Sequence, residues 1–311
     1  TKEMCYKAIM EQDTTSAYVI GLNLQAKAKL EHQKEYQELK LSGQKYIYNP
    51  NSLKLLEKSA YWFKQASSLQ EHPEALYEYA MCLLYGEGIE QNIKEGEQLV
   101  EIAANKNSIN AKAILGAFYL EGSTLYKKDY QKALLYLEDA ANEDHPEALT
   151  NLSYMYKDGI GVKEDLSISF NYMQKAAQAG YSYAQYHLSN FYFNGIGTKK
   201  DNDKAMLWLD KSLEKEYPLS ILTKARLLLQ GDVLEQDLLL SEELYIKYIE
   251  LENDYNVLFE LANYYYEGLY GQKELNTVYN LLQQCYENSQ SEDLKKKAYD
   301  LSIEVKKKTV I

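Results

Sequence analysis

The residue types able to do chemistry recur at fixed intervals, and the intervals decide what they can do. His72 and His145 sit in matching contexts, Glu71-His72-Pro73-Glu74 and Asp144-His145-Pro146-Glu147. A repeated histidine suggests a metal, but no second ligand travels with either, so equivalent turn positions account for the pair. His32 and His187 stand alone. Cys5, Cys82 and Cys285 have neither CxxC spacing nor a regular interval, which argues against a zinc site or a disulfide framework. The Gly-x-Gly pairs Gly86/Gly88, Gly159/Gly161 and Gly195/Gly197 could cradle a phosphate, yet each follows a helical pattern and none leads into Gly-Lys-Ser/Thr. The aspartates Asp129, Asp165, Asp201 and Asp237, with Asn92 at the equivalent place, could suggest paired catalytic carboxylates. Successive ones are a whole repeat apart, on the order of 10 Å in stacked helix pairs, and helix capping explains them better. No Ser-His-Asp set can be assembled by any repeated logic. The reading is a chain that is not an enzyme and takes no metal or cofactor.

What these residues punctuate is a repeat. A glycine closes each of several similar segments, at Gly86, Gly122, Gly159, Gly195, Gly231 and Gly268, with intervals of 36, 37, 36, 36 and 37 residues. Six positions earlier stands a small residue: Ala80, Gly116, Ser153, Ser189, Ala225 or Ala262. Three positions earlier stands Leu83, Tyr119, Tyr156, Tyr192, Leu228 or Tyr265. These offsets lie along one side of a helix, here called helix A, with the small residue where two backbones approach and the glycine at the left-handed C-terminus. A second helix, B, starts after the Asn or Asp cap. It carries a small residue at Gly96, Ala133, Ser169, Ala205 or Ser241 and a large one at Leu99, Tyr136, Tyr172, Trp208 or Leu244. Pro73, Pro146 and Pro218 fall two residues before the next helix A, a helix-start location. The phase extends backwards through Lys58–Ala66 (helix B) and Ser16–Leu24 (helix A), with an insertion that lengthens the first helix through Gln25–Leu41 and adds a loop around Gly43–Asn51. Ser291–Lys308 reads as a polar capping helix, which stacked repeats need.

Composition agrees with an array of helices. The chain has 311 residues, longer than one ordinary core accommodates. It contains 31 tyrosines against six phenylalanines and two tryptophans, a bias suited to half-buried surface where the ring packs and the hydroxyl stays wet. The net charge is −12. The only dense basic stretch is C-terminal, six lysines against four carboxylates from Ser289 onward, so residues 1–288 carry −14. Such a surface repels nucleic acid and favours a basic partner. No apolar run approaches the length of a membrane span. The chain opens on Thr1 rather than Met, which reads as a mature or trimmed form.

The repeat resembles the Sel-1-like family, a relative of the tetratricopeptide repeats. Its pattern runs A-x-x-x-L-G-x-x-Y-x-x-G-x-G-V and then D-x-x-K-A-x-x-W-x-x-K-A-A. Two copies carry the likeness best: Ala148, Leu152, Tyr156, Gly159-Ile160-Gly161-Val162 and Lys175-Ala176-Ala177; and Ala184, Leu188, Tyr192, Gly195-Ile196-Gly197, Lys204-Ala205 and Trp208. The copy from Ser220 departs with Lys224 at the Leu position, and the copy from Ala111 has Gly122-Ser123-Thr124 in the loop. The cysteine pairs of one branch of the family are absent, so its link to penicillin binding does not transfer. The resemblance implies an all-α, right-handed superhelical solenoid of about seven helix pairs. Its expected divisions are an N-terminal cap with an interrupted first repeat over 1–51, a repeat solenoid over 52–288 and a capping helix over 289–311.

The resemblance also implies an inner face that binds proteins. Counting from the small residue of helix A, offsets −3, +1, +4 and +5 point away from helix B. By analogy with tetratricopeptide repeats this side is concave. The candidate partner-binding residues there are Tyr77, Met81 and Tyr85; Tyr154 and Asp158; Tyr186, Asn190 and Asn194; Arg226 and Gln230; and Phe259, Asn263, Tyr266 and Glu267. Tyr, Met, Asn and Arg are hot-spot residues, whereas a merely solvated face would show Lys and Glu. The expectation is a protein-binding module, either a bacterial adaptor or an immunity protein that neutralises a toxin. Family analogy favours a periplasmic or secreted setting, and the cysteines fit the cytoplasm equally. The competing readings are a peptidoglycan or β-lactam enzyme and a structural spacer.

Overall fold

The computed structural model describes residues 3–4, 7–8, 11, 13–42, 50–68, 72–271 and 275–309, with side chains omitted over 34–42. The loop expected around Gly43–Asn51 lies, over 43–49, outside the described residues, as does Cys5. Fifteen helices are present and no strand among the described residues. They are α1 (Thr14–Ser42), α2 (Pro50–Ser67), α3 (Pro73–Tyr85), α4 (Ile93–Asn105), α5 (Ile109–Glu121), α6 (Tyr130–Ala141), α7 (Pro146–Asp158) and α8 (Leu166–Gln178), then α9 (Ser182–Asn194), α10 (Asn202–Glu214), α11 (Pro218–Gln230), α12 (Leu238–Glu252), α13 (Tyr255–Glu267), α14 (Leu275–Asn288) and α15 (Glu292–Thr309). Contacts divide the chain into two compact units, Thr1–Ala179 and Gly180–Ile311. The first holds the pairs α1/α2, α3/α4, α5/α6 and α7/α8. The second holds α9/α10, α11/α12, α13/α14 and the single helix α15.

Each pair closes on its small residues. Ser153 of α7 donates to the Ser169 carbonyl of α8 at 2.8 Å, Ser241 of α12 to the Ala225 carbonyl of α11 at 2.8 Å, and Ser59 of α2 to the Gly21 carbonyl of α1 at 2.8 Å. A Cβ on Gly116 would come within 2.7 Å of Leu137 on α6, so the backbone there has no room for one. Around this seam lie fully buried alanines, including Ala75, Ala103, Ala111, Ala140, Ala148 and Ala176. Small side chains bring the helices close, and the cores are thin layers within and between pairs rather than one central mass. In two copies the tyrosine three residues before the glycine stacks on its helix-B counterpart: Tyr119 on Tyr136 at 5.9 Å and Tyr156 on Tyr172 at 5.8 Å.

The caps work as the residue types require. Asp129, Asp165, Asp201 and Asp237 each accept a backbone N–H from the first turn of their B helix. Pro73, Pro146 and Pro218 are themselves the first residues of α3, α7 and α11, two positions later relative to the helix start than the spacing suggested. That is where a missing N–H leaves no hydrogen bond unmade. The second loop glycine serves close approach: at Gly88 a Cβ would meet the Leu56 backbone of α2 at 2.3 Å. In the loop after α5, which lacks that glycine, the buried carboxylate of Glu97 on α4 replaces the contact. It accepts the Thr124 and Leu125 N–H groups at 3.1 and 2.7 Å.

Candidate functional site

Exposure grades across the face of helix A that points away from helix B. At offset −3, Ala113, Thr150 and Leu222 are buried, while Tyr77, Tyr186 and Phe259 are half-buried. This position seals one A helix against the next. At offset +1, Met81, Tyr154, Asn190 and Asn263 are half-buried and Arg226 is exposed. At offset +5, Tyr85, Asp158, Asn194, Gln230 and Glu267 are all exposed, and Tyr85 shows 66% of its surface to solvent. The open surface of each A helix is therefore the +1/+5 strip. The residues Met81 and Tyr85 belong to that strip in the first unit, with Tyr154 and Asp158. In the second unit it comprises Asn190 and Asn194, Arg226 and Gln230, and Asn263 and Glu267.

Local bonds order several of these groups. Asn194 donates to the Asn190 carbonyl at 2.8 Å and Asn263 to the Phe259 carbonyl at 2.7 Å, which folds both amides back along their helices. Lys157 lies 4.9 Å over the Tyr154 ring and 3.4 Å from Asp158. Tyr266 touches α15, its hydroxyl 3.4 Å from Glu304 and its ring 4.2 Å under the Lys308 ammonium.

Arg226 is engaged within its own unit. Its Nε and Nη2 donate to the two carboxylate oxygens of Glu260 at 3.2 and 2.6 Å, and the hydroxyls of Tyr245 and Tyr264 donate to the same carboxylate at 2.7 and 2.9 Å. Burial alone would raise the Glu260 pKa, but the donors from Arg226, Tyr245 and Tyr264 outweigh it and hold the carboxyl below its usual range. The cluster ties α11, α12 and α13 together. No repeated motif announces it, because only this copy carries Arg at offset +1 to meet a glutamate at offset −2 of the next.

The two repeated histidines turn out to be N-caps. His72 Nδ1 accepts the Ala75 N–H at 3.2 Å, and His145 Nδ1 accepts the Ala148 N–H at 3.4 Å. Ser108 caps α5 from the same position. His145 also joins a chain across three A helices. The Asn110 amide nitrogen donates to Glu74 at 2.8 Å, which turns its oxygen toward His145 Nε2 at 3.1 Å. An amide oxygen only accepts, so Nε2 carries the proton and Nδ1 presents its lone pair to the helix. Burial pushes both imidazoles below their ordinary pKa, keeping them neutral. A signal for this role was available: the position before four of the six helices from α3 to α13 that carry the A pattern holds His72, Ser108, His145 or Asp254, all side chains with a short-range acceptor, while Tyr181 and Tyr217 precede the other two without a side-chain cap bond.

Cys82 and Cys285 are buried free thiols, pushed up to about 12 chiefly by burial, so neither is a nucleophile at neutral pH. Among the described residues no group of His, Cys, Asp and Glu is arranged to hold a metal ion, and no helix is long and apolar enough to cross a membrane.

Comparison with known proteins fits this architecture. A model of the Sel1 repeat matches residues 53–70, 73–108, 109–145, 146–181 and 182–217, just over half of the chain. Chitin synthase regulatory factor 2 of Schizosaccharomyces pombe is 36% identical over 107 residues, which is 33% of this chain and 21% of that protein. The match thus spans about a fifth of the curated relative. A Sel1 repeat protein from Oxalobacter formigenes superposes with a TM-score of 0.64 at 21% identity, covering 96% of this chain and 89% of that one. The structure of c5321, a protective antigen of uropathogenic Escherichia coli with an SLR fold, gives a TM-score of 0.60 at 22% identity, covering 91% of this chain and 56% of that one. At such identities the likeness is one of fold.

Proposed function

The chain belongs to the Sel1 repeat family, whose members are protein-interaction modules, and from that premise we propose that it binds a partner protein on the open strips of its A helices. The observation that carries the reading is the composition of those strips. Met81, Tyr85, Tyr154, Asn190 and Asn263 stand where a solvated helix would place Lys and Glu. Such residues gain from burial against a partner: aromatic rings and thioethers supply contact area, and amides supply directional bonds. The reading is non-enzymatic, with no cofactor. The finer role is that of a bacterial adaptor or a toxin-neutralising immunity protein, and stoichiometry separates the two. An immunity protein holds one partner tightly and blocks its activity. An adaptor holds several partners, or one weakly.

The test is capture by the immobilised chain, from the lysate and secreted fraction of its source, followed by mass spectrometry. The parallel bait carries Tyr85→Ala and Asn190→Ala, one open-strip position in each unit, the first exposed and the second half-buried, after circular dichroism has shown its helix content unchanged. Arg226 is left intact because its loss would strand Glu260. The expected result is a stoichiometric protein held by the wild type and at least partly released by the variant. Equal capture by both baits would move the site away from helix A, and no captured protein would sink the reading.

A further inference from the structure

A cleft of about 560 Å³ opens in the first unit between α2, α3 and the loop that leads to α4. That size lies within the range of about 300–1,000 Å³ usual for ligand clefts. Its floor is apolar, formed by the fully buried Ala60 of α2 and by Leu83 and Tyr79 of α3. Tyr61, 55% exposed, and Lys64 stand along its α2 side. Tyr79 is the unusual member. One residue before the small residue of helix A, the other copies have Leu115, Leu152, Leu188, Lys224 or Leu261. Tyr79 is 9% exposed, and among the described residues no group bonds to its hydroxyl. The Lys64 ammonium lies 5.8 Å from the centre of its ring and forms no ion pair among the described residues. A side chain so deeply held normally has its polar atom bonded, so the Tyr79 hydroxyl is left to whatever enters the cleft.

Two other copies close the same place from within. Lys64 stands five residues after the small residue of its helix B, where α4 has Glu101 and α10 has Asp210. Asp210 pairs at 2.9 Å with Lys224, the counterpart of Tyr79 in the next helix A. Between α4 and α5 a ring does the closing. The loop after α5 has one more residue between glycine and cap than the loop after α3, and its Tyr126 folds back between the two helices. The Tyr126 ring meets Tyr119, the counterpart of Leu83, edge-on at 5.1 Å, and its hydroxyl donates to Glu101 at 2.8 Å. The chain thus fills this second place with a phenol of its own, bonded at the position that Lys64 holds in the first. After α3 the shorter loop brings Ile89 and Glu90 to the cleft instead and leaves it open.

We infer that the cleft beside Tyr79 receives a tyrosine side chain from a partner polypeptide, in the place that Tyr126 fills one repeat further on. The incoming ring lies on Leu83 and against Tyr61, and its hydroxyl meets Lys64 and Tyr79. A phenol both donates and accepts. Replacing the acceptor Glu101 by the donor Lys64 therefore reverses one bond, and the Tyr79 hydroxyl accepts the proton that Glu101 takes in the other place. The rim sets the flanking residues. Glu57, Glu90 and Glu95 stand exposed around it, so charge complementarity selects a tyrosine beside basic residues and disfavours an acidic segment. Tyr126 is itself followed by Lys127 and Lys128. The cleft faces helix B, opposite to the +1/+5 strip, and is a second contact surface; the inference rests on the protein-binding reading for the kind of ligand.

The experiment measures fluorescence anisotropy of a labelled hexapeptide, Ser-Thr-Leu-Tyr-Lys-Lys, which is the sequence around Tyr126, with its alanine-for-tyrosine counterpart as a second probe. The full chain is compared with Tyr79→Leu, which installs the residue of four other copies, and with Lys64→Ala at an exposed site. The control is Glu138→Ala, at the place of Lys64 on α6. The tyrosine probe should bind the wild type and the control alike, and the alanine probe about tenfold more weakly, as loss of a buried ring implies. Tyr79→Leu and Lys64→Ala should each weaken the tyrosine probe about fivefold, the loss of one bond, and leave the alanine probe unmoved. No binding of the tyrosine probe, equal binding of both probes, or binding indifferent to both cleft variants would overturn the inference. Displacement by p-cresol at concentrations no higher than the unlabelled hexapeptide needs would assign the cleft to a free phenol and overturn the polypeptide occupant. Tyrosine-probe binding lost with Tyr79 and Lys64, beside an empty capture, would support the cleft and sink the reading of the A-helix strips. A captured partner released by Tyr85→Ala/Asn190→Ala, beside a tyrosine probe that does not bind, would do the reverse.

Discussion

His72 and His145 cap their helices only while neutral, because protonation fills the lone pair that accepts the Ala75 or Ala148 N–H. Burial lowers both folded-state values below about 6.5, the ordinary value of an unfolded histidine. The unfolded chain then binds more protons than the folded one as pH falls. The contribution of the caps is present above the unfolded value and is lost as pH falls through it toward the lowered folded values. Each cap contributes about 1 kcal/mol. The expected outcome is a thermal midpoint that drops between pH 7 and pH 5, and a shallower drop in His72→Asn/His145→Asn, where asparagine caps without titrating. An unchanged slope in that variant would assign the pH dependence to carboxylates. These roles also mark how far the sequence could be read. The equivalence of the two histidines was visible from their shared context, and the turn position followed. The bond that each makes was not, since a histidine cap looks like any loop histidine until the helix start is fixed. Arg226 lay further out of reach: its partner Glu260 is 34 residues away, and the arginine recurs in no other copy.

At the scale of the elements, legibility follows repetition. The small residues that face each other across a pair, the Asp caps and the glycine stops all recur once per repeat, so six weak signals in register become one strong one. The features that do not recur stayed hidden. The grading of the A-helix face depends on how closely one helix lies on the next, which periodicity within a single helix does not report, and so buried Thr150 and Leu222 shared a face with exposed Asp158 and Gln230. Glu97 replaces a glycine contact in one loop only. The loop glycines themselves make a graded prediction. Gly88→Ala requires a positive φ of a residue with a Cβ and drives that Cβ into the α2 backbone, so it should destabilise the chain by about 3 kcal/mol. Gly268→Ala meets the same φ requirement with nothing within 4 Å, so its cost should be about 1 kcal/mol. Urea midpoints of the two variants check the difference, and equal losses would show that conformation rather than contact governs these loops.

For the molecule as a whole, stability in stacked pairs is a sum of pair and interface contributions rather than the property of one core. Successive pairs within the first unit meet along more of their length than those within the second. There the Arg226–Glu260 cluster, itself partly open to solvent, stands beside a buried apolar cluster that includes Ile221, Leu222, Tyr245, Val257 and Leu261. Polar links that stand half in water hold less than buried alanine seams. The second unit should therefore open at a lower denaturant concentration than the first. The chain provides its own reporters, because its two tryptophans fall one in each unit: Trp62 on α2 and Trp208 on α10. Trp208→Phe leaves a probe of the first unit, and Trp62→Phe leaves a probe of the second. Urea titrations followed by fluorescence should place the Trp208 transition below the Trp62 transition, and Arg226→Ala should move the Trp208 midpoint further down while leaving that of Trp62 nearly in place. Coincident midpoints, or the reverse order, would mean that the extent of pair-to-pair packing does not set the order of unfolding.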